Sequence, residues 1–414
     1  MNPWIAEHPV HLSWLDEHTR HLLRFGRRTV APGLGAAYLG VDGTPDPSHG
    51  TNTWITCRMV HVYAIGALLG VPGCRPVAQG VLDALRDGPL RDASHGGWYR
   101  GLSPEGTPEV EAGKAVYDHA FVLLAASSAV LAGLEGGADL LEDATEVFLE
   151  RFWDDDAGRV VDHWDASFTT LDDYRGLNGT MHSVEAMLAV ADAAEDDAQA
   201  MVWRRRASRM CELTVELSTQ HNGRLPEHFD AQWVADLEMG APDDQFLPFG
   251  ATPGHGFEWA RLLTQLEVAD PDLAPAGSLD AARRLFATAV ADGWRTSGHD
   301  GFVYTTDFSG APVVSDRMHW VAAEAIGAAD ALHRRTGDAS YRDHYLAWWD
   351  HVDTSLIDHE RGSWHHQLDP ANVPTTGVWP GKPDLYHAFQ ATLLPRVPLG
   401  CSLTRAVRDR QVAA

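Results

Sequence analysis

The sequence predicts an all-α protein, an (α/α)6 barrel in which six helix pairs close into a ring with short β-hairpins between them. Three observations predict this fold. A segment rich in glycine, aromatic and β-branched residues recurs about every 62 residues, an apolar helix follows each segment, and an amphipathic helix separates it from the next. Six such units can close on themselves, whereas an open solenoid would need atypical capping repeats at both ends. We therefore expect residues 1–414 to form one domain.

Each recurring segment has the composition of a short β-hairpin. A few extended residues precede Gly, Pro or Asp, which are the residues that tight turns favour. The aligned positions in the six segments are Tyr38, Tyr99, Val161, Pro226, Val303 and His365. The predicted hairpins cover residues 35–46, 96–108, 158–168, 222–233, 300–312 and 361–374.

The predicted helices fall into two classes. Those that follow a hairpin are apolar on nearly all sides, so we expect them to be buried as an inner layer. They cover residues 54–69, 116–133, 179–194, 254–268, 317–332 and 386–394. The others have one polar face, so we expect an outer layer that contacts water. They cover residues 3–29, 75–86, 139–153, 199–220, 279–294 and 341–355.

Composition excludes several classes of partner. The net charge is −26, from 32 basic and 58 acidic residues, which argues against binding of nucleic acid or anionic lipid. The most apolar run, residues 120–134, is shorter than the roughly 20 residues that cross a bilayer. The N-terminus lacks the pattern of a signal peptide, and the spacing of Cys57, Cys74, Cys211 and Cys401 fits no zinc site. We therefore expect a cytoplasmic protein with reduced thiols.

An ionisable residue occurs near the start of each predicted inner helix, at approximately equivalent positions of the repeat. These residues are Arg58, His119, His182, His255, His319 and His387. In a closed ring the inner helices begin at one mouth, so the six side chains should surround one pocket. Helix N-termini stabilise developing negative charge and keep a nearby histidine neutral, as a general base requires. We expect His119 and His319 to be structural members of the set, because hydrogen-bonded structural histidines are common.

Two motifs define the setting of the candidate histidines more closely. In PGHGFEWARLL, Glu258 follows His255 by three residues, which places both side chains on one helix face. The pair could orient an imidazole or bind a hydroxyl group, or it could be a capping pair. Asp384 is expected to be the N-cap of the helix that carries His387. No recognisable metal or cofactor motif is present, so we expect neither a metal nor a cofactor.

Five segments resemble the N-acylglucosamine 2-epimerase superfamily, and the resemblance runs nearly end to end. They are TCRMVHVYAIGALLG, AVYDHAFVLLA, LNGTMHSVEAML, PGHGFEWARLL and DLYHAFQ. Within the superfamily, the sequence is most similar to the aldose–ketose isomerases that act on mannose. The resemblance implies an (α/α)6 barrel that acts on reducing sugars without a metal or a redox cofactor. It also implies that His255 and His387 are the acid/base catalysts.

The resemblance assigns further residues to the substrate. Arg58 would stabilise an enediolate oxygen, and Glu258 would contact the sugar and support His255. The implied substrate-binding residues are Arg58, Tyr117, Asn178, His182, Glu258, Trp320 and Trp379. Arg58 needs an anionic or hydroxyl-rich partner in its apolar surroundings, and a structural pair with Asp118 is the alternative.

The expected reaction interconverts D-mannose and D-fructose through a cis-enediolate, with D-lyxose and D-xylulose as a second candidate pair. His387 would carry the proton between C2 and C1, and His255 would open the sugar ring. Three alternatives stay open: a 2-epimerase acting on cellobiose or an N-acyl sugar, an (α/α)6 glycoside hydrolase with two catalytic carboxylates, and a non-catalytic sugar-binding protein. The expected partner is a small monosaccharide, and the chain is expected to be a monomer or a weak homodimer.

Overall fold

The computed structural model of the protein describes residues 8–241, 244 and 247–413. Within these residues, helices of the two predicted layers alternate along the chain. They are α1 (Pro9–Phe25), α2 (Thr53–Leu68), α3 (Cys74–Asp87), α4 (Val116–Leu131), α5 (Gly137–Val147), α6 (Leu177–Ala193), α7 (Asp197–Gln220), α8 (Pro253–Ala269), α9 (Ser278–Gly293), α10 (His319–Thr336), α11 (Ala339–His351), α12 (Tyr386–Leu393) and α13 (Leu403–Arg408). The part of the first predicted helix that precedes residue 8 lies outside the described residues.

The even-numbered helices form the inner layer, and the prediction of an (α/α)6 barrel is confirmed. They are buried on nearly all sides because small and apolar residues occupy most of their positions; in α4, for example, only Tyr117 and Val130 are partly exposed. The outer helices bury one face, as their amphipathic pattern predicts. In α3 that face consists of Val77, Ala78, Val81, Leu82 and Leu85.

All six predicted hairpins contain the same tight turn. In each turn the backbone N–H of the fourth residue donates to the carbonyl oxygen of the first, over distances of 2.8–3.1 Å. The turns are Gly40–Gly43, Ser103–Gly106, Asp165–Phe168, Asp230–Trp233, Asp307–Gly310 and Asp369–Asn372. The fourth residue adopts a positive φ, which glycine tolerates best and which Phe168, Trp233 and Asn372 adopt here at φ 57–65°.

Short β-ladders join neighbouring repeats, a feature that the sequence did not predict. The strand before an inner helix pairs antiparallel with the hairpin of the next repeat, as Thr51–Asn52 does with Gly101–Leu102. The corresponding pairs are Lys114–Ala115 with His163–Trp164, Arg175–Gly176 with His228–Phe229, Ala251 with Thr306, and Arg317–Met318 with Gln367–Leu368. The last repeat reaches the first in the same way, because the Lys382 N–H donates to the Leu39 carbonyl at 2.9 Å. The repeats are therefore joined into a closed ring at the hairpin end.

Helix α13 was also not predicted, and it packs against the other end of the inner helices. Its Thr404 hydroxyl lies 3.0 Å from that of Ser128 in α4. The backbone N–H of Ser402 donates to the carboxylate of Asp192 in α6 at 2.6 Å. Among the described residues, no helix combines the length and apolar character needed to cross a membrane.

A buried ion pair fastens the second hairpin to the strand before α4. Lys114 Nζ lies 2.8 Å from Asp92 Oδ2 and donates to the Gly96 carbonyl at 2.6 Å, and Lys114 and Asp92 are 0% and 2% exposed. Replacing Lys114 with methionine should lower the free energy of unfolding by about 3–5 kcal/mol, because it leaves a buried carboxylate without its cation. Chemical denaturation measures this change. The double variant Lys114→Met/Asp92→Asn should recover much of the loss, and a single variant as stable as wild type would contradict the prediction.

Candidate active site

A cavity of about 830 Å³, counting its open mouth, lies where the hairpins meet the N-terminal ends of the inner helices. Each inner helix contributes at least one side chain from its first two turns, as the repeat predicts. All nine sequence-predicted site residues line this cavity: Arg58, Tyr117, Asn178, His182, His255, Glu258, Trp320, Trp379 and His387. The ring therefore brings together residues that lie up to 329 positions apart in the chain.

His255, in the first turn of α8, is oriented by a carboxylate from the neighbouring hairpin. Its Nδ1 lies 2.8 Å from Glu227 Oε1. A carboxylate only accepts hydrogen bonds, so Nδ1 carries a proton, and in the neutral imidazole Nε2 is the nitrogen with the free lone pair. The expectation that Glu258 supports His255 is wrong, because Glu227 occupies that position. Glu258 shares the helix face but lies one turn deeper, where its nearest donor is Arg261 at 3.4 Å.

His387, in the first turn of α12, has an equivalent arrangement. Its Nδ1 donates to Glu324 Oε1 of α10 at 2.9 Å, and its Nε2 lies 3.4 Å from Arg58 Nη2. Burial, together with the positive charge of Arg58, holds the pKa of His387 well below its ordinary value. His387 is therefore a neutral base near pH 7, with its unprotonated nitrogen beside a guanidinium group.

Arg58 is held in a buried, aromatic setting. Its Nη1 lies 3.2 Å from Asp384 Oδ2, and its Nη2 donates to the Tyr117 hydroxyl at 3.1 Å. The guanidinium also lies 4.6–4.8 Å from three ring centroids, those of Trp54, Phe121 and Tyr386. These contacts fix a positive charge at the cavity wall, where an anionic oxygen could bind.

Of the two partners that the sequence suggested for Arg58, a substrate oxygen or Asp118, the second is not observed. Asp118 pairs with Arg100, at 3.3 Å, and not with Arg58. Asp384 has two roles, because its Oδ1 also accepts the backbone N–H of Tyr386 at 2.9 Å. The N-cap of α12 is Leu385, so the expectation that Asp384 is the N-cap is wrong by one residue. Asp384 instead accepts the first N–H of the helix from one position earlier and neutralises Arg58.

The indole of Trp320 stands beside both candidate catalytic histidines. Its ring lies 5.2 Å from the His255 ring and 5.9 Å from the His387 ring, centroid to centroid. A side chain at Gly254 would overlap the Trp320 ring, so the glycine before His255 allows this close approach. The arrangement offers an apolar ring beside both imidazoles, against which a sugar could rest.

The two histidines expected to be structural have different environments. In His119, Nδ1 donates to the Ala115 carbonyl at 2.8 Å and Nε2 accepts the Trp98 N–H at 3.1 Å, so the backbone uses both nitrogens. His319 instead lines the cavity and stacks on His366 at a centroid distance of 3.8 Å. Burial lowers the pKa of His319 to about 4, so it stands in the cavity wall as a neutral ring.

Below the cavity, three ligand-type side chains come close enough to suggest a metal site. Single ligand atoms of His182, Glu185 and Glu258 lie within 4.8 Å of one another. However, Arg261 Nη2 lies 3.4 Å from Glu258 Oε1 and 3.9 Å from Glu185 Oε1. A divalent cation among these oxygens would be repelled by the guanidinium, so the donor set fits a metal poorly.

The sequence missed Glu227, although the repeat contained a signal for it. Glu227 follows the aligned hairpin position Pro226 by one residue. The equivalent residues of the other repeats are Leu39, Arg100, Asp162, Tyr304 and His366. Glu227, Tyr304 and His366 line the cavity. This position therefore directs side chains toward the site in three consecutive repeats, the fourth to the sixth.

Comparison with known proteins agrees with the fold. The family model for N-acylglucosamine 2-epimerase (GlcNAc 2-epimerase) matches residues 35–391. A D-mannose isomerase of Thermobifida fusca is 47% identical over 98% of this chain and 99% of its own. A D-mannose isomerase of Pseudomonas cannabina pv. alisalensis is 42% identical over 98% of this chain and 97% of its own.

A solved structure extends the similarity to three dimensions. The crystal structure of a D-mannose isomerase superposes with a TM-score of 0.83 at 26% sequence identity, covering 92% of this chain and 96% of that one. The match to the family model covers most of the chain, and the two relatives match it over nearly their whole length. The chain therefore belongs to the N-acylglucosamine 2-epimerase family.

Proposed function

We propose that the protein is an aldose–ketose isomerase that interconverts D-mannose and D-fructose. The observation that carries this proposal is the pair of histidines beside Trp320, each held through Nδ1 by a buried glutamate. The names of the two relatives at 47% and 42% identity support the same reaction. D-Lyxose, which is D-mannose without C6, presents the same reacting carbons and is the second expected substrate, giving D-xylulose.

His255 opens the sugar ring in this proposal. Its Nε2 takes the proton from the anomeric hydroxyl and delivers a proton to the ring oxygen as the C1–O5 bond breaks. Glu227, 2.8 Å from Nδ1, stabilises the imidazolium that exists between the two transfers. The product of this step is the open-chain aldehyde.

His387 then transfers a proton from C2 to C1. Its Nε2 removes the C2 proton, and the electron pair moves into a C1–C2 double bond while O1 becomes negatively charged. Arg58, 3.4 Å from that nitrogen, stabilises the charge on O1. A proton passes from O2 to O1, and His387 returns its proton to C1. One base is sufficient, because the two hydrogens lie on the same face of a cis-enediolate.

The charge of the cavity favours an unphosphorylated sugar. Among its described lining residues, Arg58 is the one lysine or arginine, and Asp384 neutralises it at 3.2 Å. Glu227 adds an acidic group to the same wall. A phosphate group would find no unpaired cation among these residues, so D-mannose is a better substrate than its 6-phosphate.

The arrangement also weighs against two of the three alternatives, the glycoside hydrolase and the protein that only binds sugars. A glycoside hydrolase needs two carboxyl groups facing the scissile bond, but Glu227 is bound to His255 and Asp384 to Arg58. A 2-epimerase needs bases on both faces of C2, and His255 is the group that could serve as the second base. Two intact, oriented histidines argue against a protein that only binds sugars.

We further propose that residues 1–414 act as one catalytic domain, as a monomer or weak homodimer in the cytoplasm. Of the four cysteines, none is in a disulfide and three are buried, as suits a reducing compartment.

Product analysis with a sugar panel tests the proposed function. The purified protein is incubated separately with D-mannose, D-lyxose, cellobiose, N-acetylglucosamine and D-mannose 6-phosphate, and the products are separated by chromatography. We expect D-fructose from D-mannose and D-xylulose from D-lyxose. D-Glucose as the main product from D-mannose, or conversion of cellobiose alone, would identify an epimerase and contradict the proposal.

A further inference from the structure

Three buried carboxyl groups below the cavity share one guanidinium group. Glu185, Glu258 and Glu324 come from α6, α8 and α10, and Arg261 lies between them. Arg261 Nε donates to Glu324 at 3.1 Å, and its Nη2 lies 3.4 Å from Glu258 and 3.9 Å from Glu185. Three ionised carboxylates would leave two buried negative charges uncompensated. Because burial of an unpaired charge is costly, the cluster should hold a proton.

The hydrogen-bond donors around the cluster are unequally divided between the carboxylates. Glu185 accepts from the Tyr386 hydroxyl at 2.5 Å and from Gln390 at 3.4 Å, and it lies 3.4 Å from His182 Nδ1. Glu324 accepts from Arg261 and, at 2.9 Å, from His387. Burial acts to raise the pKa of both carboxyl groups, but the donors outweigh it at Glu185, whose pKa is lowered. At Glu324 the donor Arg261 only opposes the effect of burial, and the pKa stays above its ordinary value.

Glu258 has the poorest set of donors of the three. Its hydrogen bond from Arg261 is long, at 3.4 Å, and its Oε2 accepts none from the residues that the structure describes. The side chain is 1% exposed and yet lines the cavity. Burial and the nearby charge of Glu324 raise the pKa of Glu258 well above its ordinary value. The proton therefore belongs on Glu258.

We propose that Glu258 is a neutral carboxylic acid in the resting enzyme and donates its O–H to a substrate oxygen that carries enediolate charge. This role rests on the isomerisation proposed above. A neutral buried acid is an effective donor to a developing oxyanion, because it stabilises the charge without adding a negative charge of its own. The titratable and charged groups that face Glu258 are Arg58, Tyr117, His182, Glu185, Arg261, Glu324 and Tyr386.

The test compares two replacements of Glu258 with wild type. Glutamine keeps a neutral hydrogen-bond donor, so Glu258→Gln should lower kcat about tenfold at most, whereas Glu258→Ala should lower it by about 10²–10³-fold. The wild-type kcat should fall as pH rises through the raised pKa of Glu258, where the acid ionises. That basic limb should be absent in Glu258→Gln. Glu142→Gln, on an exposed position of α5, is the matched control and should retain the wild-type profile.

Infrared difference spectroscopy gives a readout that does not depend on turnover. The wild type should show the carbonyl stretch of a protonated carboxylic acid, shifted by deuterium oxide, which Glu258→Gln lacks and Glu142→Gln retains. If the difference spectrum of wild type minus Glu258→Gln lacks this band, or if Glu258→Gln is as inactive as a folded Glu258→Ala, the proposal is overturned. A wild type that isomerises no sugar would instead refute the proposed function, while the band would still report the proton on Glu258.

Discussion

Replacing His387 with alanine is expected to lower kcat for the interconversion of D-mannose and D-fructose by about 10³–10⁴-fold, the contribution of a well-placed general base. The variant loses the nitrogen that carries the proton between C2 and C1. Arg58 and Glu324, which contact the two ring nitrogens, remain in place. KM should change much less than kcat, since the sugar also contacts the other cavity walls. Steady-state kinetics with product identification measures both constants.

The pH profile of the wild type checks the same assignment. His387 acts as a base only when it is neutral, so kcat is lost as pH falls through its pKa. Because burial and Arg58 lower that pKa, the acid limb of kcat should lie well below the ordinary histidine value of 6.5. Glu324→Gln tests whether Glu324 orients the His387 ring. This variant keeps the base, and its kcat should fall about 10–100-fold because the ring is held less well. Near-wild-type turnover in His387→Ala would remove His387 from the mechanism.

Replacing His255 with alanine is expected to lower turnover of D-mannose by about 10²–10⁴-fold, because ring opening then lacks its acid and base. Nearly all of the sugar is cyclic, so little open-chain aldehyde is available for the later proton transfer. Glu227→Gln keeps the imidazole but weakens the stabilisation of its protonated form, and we expect about a tenfold loss.

Two controls make the His255 result interpretable. Thermal unfolding should show that both variants fold, since Glu227 lies at the cavity wall and can be solvated when the imidazole is removed. The His255→Ala substitution should lower the turnover of an aldose that cannot form a ring less than it lowers the turnover of D-mannose. Equal losses for the two sugars would place His255 in the proton transfer and not in ring opening.

The repeat made much of the fold and of the cavity lining predictable. Inner helices are apolar on nearly all sides and outer helices on one, so the layers follow from hydrophobic periodicity. The equivalent positions of Arg58, His182, His255 and His387 then place these residues at one mouth. Several boundaries differed. For example, α10 begins at His319 and not at residue 317, because Arg317–Met318 pairs as a strand with Gln367–Leu368.

The contacts that set the chemistry were less predictable, because they join distant parts of the chain. Glu227 reaches His255 across 28 residues, from a hairpin to the helix that follows it, and Glu324 reaches His387 across 63 residues, from the adjacent inner helix. Sequence spacing predicted a His255–Glu258 contact within one helix. It could not show that Arg261, one turn further along, attracts the Glu258 carboxyl group instead.

The isotope content of the product tests the central claim, that His387 isomerises the sugar through a cis-enediolate. D-Mannose labelled with deuterium at C2 is converted in ordinary water, and unlabelled D-mannose is converted in deuterium oxide. We predict D-fructose that carries deuterium on one face of C1 in both experiments, by transfer from C2 in the first and by exchange on the base in the second. The account would be contradicted if all of the C2 deuterium moved to C1 in the first experiment and no solvent deuterium entered C1 in the second. D-Glucose in place of D-fructose would also contradict it.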